Sequence, residues 1–129
     1  VISDRFIDST IIYQGIVGGV ESRYIESMNE IACGDVFPDL TIILDIDSKI
    51  GLKRAQMRGK GEDRFEAKGP AFHDKIRAGF IDLAAKHSQR CVLLNANRSV
   101  DALADEISKL VIAKLSTMGG ILDDGETVD

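Results

Sequence analysis

Asp4 and Arg5 stand side by side after the apolar pair Val1-Ile2, and Ser9, Thr10, Tyr13 and Gln14 follow within ten residues. A guanidinium at a strand end can hold two oxygens of a phosphate at once, and a neighbouring carboxylate can orient it or bind the water shell of a cation. Offsets of three and four residues share a helical face, so Ser9, Thr10 and Gln14 lie on one side of a helix with Tyr13 close by. The plainer readings are an Arg5 that only pairs with Asp4 and a Tyr13 that is a core aromatic with a satisfied hydroxyl. A second group, Arg58, Lys60 and Arg64, sits in a stretch containing Gly59 and Gly61. Guanidinium groups on such a loop suit a lid that closes on phosphates and excludes water. A third group, Asn95, Asn97, Arg98 and Ser99, follows the apolar run Cys91–Leu94.

The elements that must carry these groups can be read from periodicity. Val1–Ile2 reads as the tail of a buried strand, and Asp8 or Ser9 as the cap of a helix through Tyr13 that Gly15, Gly18 and Gly19 interrupt. From Glu21, apolar residues at Tyr24, Ile25, Met28, Ile31 and Ala32 have a helical period closed by Gly34. Leu40–Ile46 is a β-branched apolar run, as expected of a strand buried on both faces. Ser48 would then cap a helix through about Met57. A further helix carries Ala71, Phe72, Ile76, Phe80, Leu83 and Ala84, and Ser99 caps a last one with Val100, Leu103, Ala104, Ile107, Leu110 and Val111 on one face. Strands alternating with helices imply an α/β fold with a parallel sheet and helices on both faces, in which ligands collect beyond the carboxyl ends of the strands. His73 and His87 are assigned no chemistry.

Composition narrows the classes. A chain of 129 residues, 44% hydrophobic, has the core of one domain, and its net charge of −5 argues against a general nucleic-acid binder. The window from Lys49 to Arg77 nevertheless holds nine bases against four acids. It is +5 within a chain of −5, which leaves −10 for the rest. Lys49, Lys53 and Lys75 read as a solvated helix face. No apolar run has the roughly 18 residues of a membrane span and no signal peptide opens the chain, so the default expectation is a cytoplasmic protein without membrane partners. Cys33 and Cys91 lack CxxC or Cys/His spacing, which disfavours a structural zinc site or a disulfide framework.

The segment Asp4-Arg5-Phe6-Ile7-Asp8-Ser9-Thr10-Ile11-Ile12-Tyr13-Gln14-Gly15 resembles the D-R-(Y/F/H)-x-x-S-(T/N)-x-A-Y-Q stretch of thymidylate kinases. Matches continue in order through Pro38-Asp39-Leu40-Thr41, the strand ending at Asp45, Gly51-Leu52-Lys53-Arg54-Ala55, Arg58-Gly59, Asp63-Arg64-Phe65-Glu66 and Asn95-Ala96-Asn97-Arg98-Ser99-Val100, spanning Val1 to about Leu115. The resemblance implies a P-loop nucleoside monophosphate kinase-like fold, a three-layer parallel sheet here missing its N-terminal strands, and ATP- and Mg2+-dependent phosphorylation of dTMP to dTDP. By resemblance, Arg5 grips the acceptor phosphate, with Asp4 beside it or beside the magnesium hydration shell. Thr10 and Gln14 hydrogen-bond the thymine edge or its waters, Ser9 joins them among the dTMP-binding residues, and Tyr13 crowds the 2′ position of the sugar. Arg58 and Arg64 match family arginines that fold over the ATP phosphates in the bacterial style, but Lys60-Gly61-Glu62 makes this lid one residue longer, so either arginine could meet the transferred group. Asn97 and Arg98, with Ser99, match the loop bordering the adenine.

The resemblance therefore divides the chain into a partial kinase domain over 1–118, with a lid at about 58–66 and an adenine-side loop at 95–99, and a flexible acidic tail over 119–129. None of the twelve glycines begins the phosphate cradle G-x-x-x-x-G-K-[ST]. The expectation is a C-terminal portion of such a kinase, inactive on its own. Family members form homodimers through helices, and the stripe Tyr24, Ile25, Met28 and Ile31 would serve that contact or be ordinary core. The alternatives are a non-catalytic α/β dimerisation or nucleotide-binding module, and a kinase for another nucleoside monophosphate. The residues before Val1 in the source gene discriminate the first, and acceptor preference the second.

Overall fold

A computed structural model describes residues 1–59 and 68–119. The chain divides into two compact units, Val1–Asn97 and Arg98–Asp129. The first begins with a short helix α1 (Ile7–Thr10) that continues as a π-helical stretch over Ile11–Val17. Helix α2 (Ser22–Cys33) follows, then strand β1 (Thr41–Asp45), helices α3 (Ser48–Met57) and α4 (Pro70–Lys86), and strand β2 (Cys91–Asn95).

The two strands pair in parallel, with Thr41 opposite Cys91 and Asp45 opposite Asn95. Parallel neighbours need a crossover, which α3 and α4 belong to. Backbone bonds extend the ladder at both ends, from Thr41 N to Arg90 O (2.8 Å) and from Ala96 N to Asp45 O (2.7 Å). The core gathers Ile12, Ile43, Ile76, Leu83, Ala84 and Cys91, with Ile11, Tyr13, Val17, Phe72 and Phe80 packed against it. Ile12 is fully buried because α4 offers Gly79 there: a Cβ at that position would lie 3.2 Å from Ile12 Cδ1. Helix α2 ends at Gly34, whose φ of 57° is open to glycine at little cost.

Four expectations change. Val1 and Ile2 form no strand and are fully exposed, because a strand requires a neighbour for its backbone groups and the paired strands are β1 and β2. The first helix opens at Ile7 without a side-chain cap, since Asp8 turns inward, and Gly15 lies within the π-helical stretch rather than ending it. The Leu40–Ile46 run is not covered on both faces throughout, for Leu44 stays about half exposed. Asp47, not Ser48, caps α3, accepting from Lys49 N (3.0 Å) and Ile50 N (3.4 Å). Ser48 is already helical and buried, with its hydroxyl donating to Asp74.

The second unit contains helix α5 (Val100–Thr117). Ser99 caps it as expected, its hydroxyl accepting from Ala102 N at 3.2 Å. Asp105 and Lys109 pair one turn apart at 2.7 Å, and Arg98 pairs with Glu106. No helix of the described residues is long and apolar enough to cross a membrane.

Candidate functional site

The segment before α1 holds Arg5 in a conformation that side chains other than glycine rarely adopt, with φ at 67°. The Ser3 hydroxyl donates to the Arg5 carbonyl at 2.9 Å, closing this turn. The bend carries the Arg5 guanidinium over the Tyr13 ring, 5.2 Å from its centroid, in cation–π geometry. Tyr13 in turn meets Phe80 of α4 edge-on, with centroids 6.4 Å apart. Tyr13 thus takes both roles that its type allows, an aromatic against the core and a platform beside the exposed Arg5. Strained backbone that aims one charged side chain is a recurrent feature of binding sites. Ser9 and Thr10 are half-buried on α1, while Asp4 and Gln14 are exposed. Asp4, Ser9, Thr10 and Gln14 form no side-chain hydrogen bond or ion pair among the described residues.

Beneath this surface, Asp8 is buried and held by three hydrogen bonds from two side chains. Arg90 Nη2 donates to Oδ1 and Nη1 to Oδ2, both at 2.8 Å, and the Thr41 hydroxyl donates to Oδ2 at 3.1 Å. Burial pushes the Asp8 carboxyl up, but the Arg90 fork and the Thr41 hydroxyl outweigh it and hold the group below its ordinary range. The hydrogen bond to Asp8 raises Arg90 above its already high value. The ion pair and the Thr41 bond fix the helix of Ser9 and Thr10 to the residue preceding β2 and to β1. No local pattern in the sequence marks this pair, since Asp8 and Arg90 lie 82 positions apart.

At the carboxyl ends of the strands, Asp45 accepts a fork from Arg77 of α4, with Nε–Oδ1 at 2.7 Å and Nη2–Oδ2 at 3.1 Å. That bond holds the Asp45 carboxyl below its usual range. Asp47 lies 3.7 Å from Arg77 Nη1. The loop after β2 is tied down by Arg54, a residue not among the sequence candidates. Its Nη1 donates to Ala96 O at 2.9 Å and its Nη2 to Asn97 Oδ1 at 3.1 Å. Arg54 is four residues before Arg58, a helical spacing that could have drawn attention to it. Arg58 is exposed at the end of α3 and forms no side-chain hydrogen bond among the described residues. Arg98 belongs to the second unit. Arg64, Lys60 and the rest of the expected lid beyond Gly59 lie outside the described residues, as does the tail from 120 onward.

Arg5 and Tyr13 thus form one group, and Asn97 with Arg54 a second. No hydrogen bond or ion pair joins Asp4, Ser9, Thr10 or Gln14 to Arg58 or Asn97 among the described residues. Parallel strands with helices in their crossover, and polar side chains gathered at their carboxyl ends, define an α/β domain of the kind that binds ligands beyond those ends. Comparison with known proteins makes this specific. The chain belongs to the thymidylate kinase family, whose profile matches residues 1–107. It is 43% identical over 115 residues to the thymidylate kinase of Caulobacter vibrioides, covering 89% of this chain and 55% of that protein. To the thymidylate kinase of Maridesulfovibrio salexigens it is 41% identical over 121 residues, covering 89% and 56%. The crystal structure of thymidylate kinase from Ehrlichia chaffeensis superimposes with a TM-score of 0.58 at 31% identity, covering 84% of this chain and 48% of that one. The chain spans about half the length of the curated relatives it matches.

Proposed function

We propose that the protein carrying this chain transfers the γ-phosphoryl group of ATP to dTMP, giving dTDP for dTTP synthesis. The observation that carries this reading is Arg5, strained at φ 67° and poised over Tyr13 within the D-R-F-I-D-S-T-I-I-Y-Q segment. In it the Arg5 fork binds the acceptor phosphate, Thr10 and Gln14 meet the thymine or its waters, and Ser9 lies beside them in the dTMP site. Tyr13 stands against the sugar, where a 2′-hydroxyl would need its space. Phosphoryl transfer depends on position and charge more than on covalent chemistry, so Arg5 and Arg58, with Arg64, act by aligning the two phosphates and offsetting charge in the transition state. Asn97 and Arg98 border the adenine.

Magnesium is held in such sites largely by the phosphates and by water, with one or two carboxylates. Asp4, an exposed carboxylate beside Arg5, is the group of this chain that fits that arrangement. Asp4 would meet the ion through its water shell, and the ion bound with ATP would supply positive charge beside the transferring group.

Homodimerisation is part of the same reading. Of the α2 stripe, Ile25 faces the core at 2% exposure, whereas Tyr24, Met28 and Ile31 are exposed at 53, 50 and 87%, an apolar face available to a second copy. The setting is cytoplasmic, where ATP is the phosphate donor. The test is ligand-induced stabilisation of the intact protein. dTMP is expected to raise its melting temperature more than dCMP or GMP does, and equal shifts with all three would sink the acceptor assignment.

A further inference from the structure

The loop after β2 is held by four hydrogen bonds. Ala96 N donates to Asp45 O (2.7 Å), and Ala96 O accepts from Arg54 Nη1 (2.9 Å). Asn97 N donates to Asn95 Oδ1 (2.8 Å), and Asn97 Oδ1 accepts from Arg54 Nη2 (3.1 Å). The last bond decides what Asn97 can offer. Its side-chain oxygen faces the guanidinium, so its amide NH2 must point the other way, with two donors and no acceptor free on that side. Asn97 is exposed, so this donor group is open to a ligand. Arg54 is well suited to the task, because one rigid planar fork reaches the backbone of one residue and the side chain of the next.

We infer that Arg54 is a positioning residue for the donor nucleotide: it turns the Asn97 amide so that only N–H groups face the base, matching a hydrogen-bond acceptor on the base edge. This deepens the kinase reading and rests on it for the identity of the ligand. Because Arg54 stands one helical turn before Arg58, it also ties the end of α3, where Arg58 stands, to the loop bearing Asn97. A Lys at position 54 keeps the charge but not the fork, and so separates the two contributions.

Calorimetric titration of the intact protein with a non-hydrolysable ATP analogue, and separately with dTMP, tests this. Arg54→Lys is expected to weaken the ATP analogue about tenfold and leave dTMP within about twofold, since the loss amounts to one oriented charged hydrogen bond. Asn97→Ala is expected to weaken the analogue similarly. The double variant should bind within about twofold of Asn97→Ala alone, because both changes remove the same contact. In turnover, the KM for ATP should follow binding while kcat changes little. Unchanged analogue binding in Arg54→Lys, equal weakening of both ligands, or additive effects of the two substitutions would each overturn the assignment. A wild-type protein that binds the analogue but does not phosphorylate dTMP defeats the kinase reading alone, and the titrations still decide the role of Arg54. A wild-type protein that binds no analogue overturns both.

Discussion

Arg90 holds both carboxylate oxygens of Asp8 at 2.8 Å across 82 positions of sequence, with the Asp8 side chain only 6% exposed. The pair joins the polar helix of the candidate acceptor site to the residue preceding β2. Such a pair adds little over a well-packed apolar contact, but it is costly to break from one side, because the remaining charge is left buried without a partner.

Arg90→Met is therefore expected to destabilise the protein by about 3–5 kcal/mol, measured by denaturant unfolding. Asp8→Asn combined with Arg90→Met should recover part of that loss, since no charge is then stranded. The pH dependence follows from a folded-state carboxyl held below its ordinary value of 3.8. Its contribution is complete above that value and is lost as pH falls through the lower folded value. Wild-type stability should fall in that acidic window more steeply than that of the double variant. Parallel pH profiles would contradict the role of the pair.

Burial raises the Cys91 thiol above its ordinary value, and the thiolate is the reactive form. With Cys33 half-buried at the end of α2, N-ethylmaleimide followed by mass spectrometry should modify Cys33 first. Cys91 should react only on addition of denaturant. Equal labelling rates in native buffer would contradict the packing of β2.

Gly79→Val would push side-chain atoms into Ile12, already 3.2 Å from where a Cβ would stand. Overpacking of this kind costs about 1–3 kcal/mol, read as a lowered unfolding midpoint. A variant as stable as the wild type would show that the π-helical stretch does not sit against α4 as described.

Arg5→Ala in the intact protein should lower kcat/KM for dTMP by about 100-fold or more, the scale of losing an oriented charge in a transition state. Arg5→Lys should recover part of it, because charge returns without the fork. A loss confined to the KM for ATP would place Arg5 on the wrong nucleotide.

Much of this architecture was readable along the chain where the signal is local. The 3.6-residue period marks α2, α4 and α5, and Ser99 caps α5 as its type suggests. Asp47 and Ser48 show where local reading fails. Both are capping types, and the choice fell to Asp47 because Ser48 finds a partner in Asp74, 26 residues away. The site divides the same way. Arg5, Tyr13 and Asn97 stand in contiguous segments, whereas the groups that hold their supports, Arg90, Arg77 and Arg54, act across 32 to 82 positions. Charge pairing at that range leaves no periodic trace. A short apolar pair such as Val1-Ile2 carries strand propensity but no information about its neighbour.

The most direct test is phosphoryl transfer from ATP by the intact protein to dTMP, dCMP and GMP offered in parallel. The account predicts formation of dTDP at a kcat/KM at least about tenfold above that for either competitor, the scale of one well-placed polar contact. Equal rates with all three acceptors, or no transfer to dTMP at all, would contradict it.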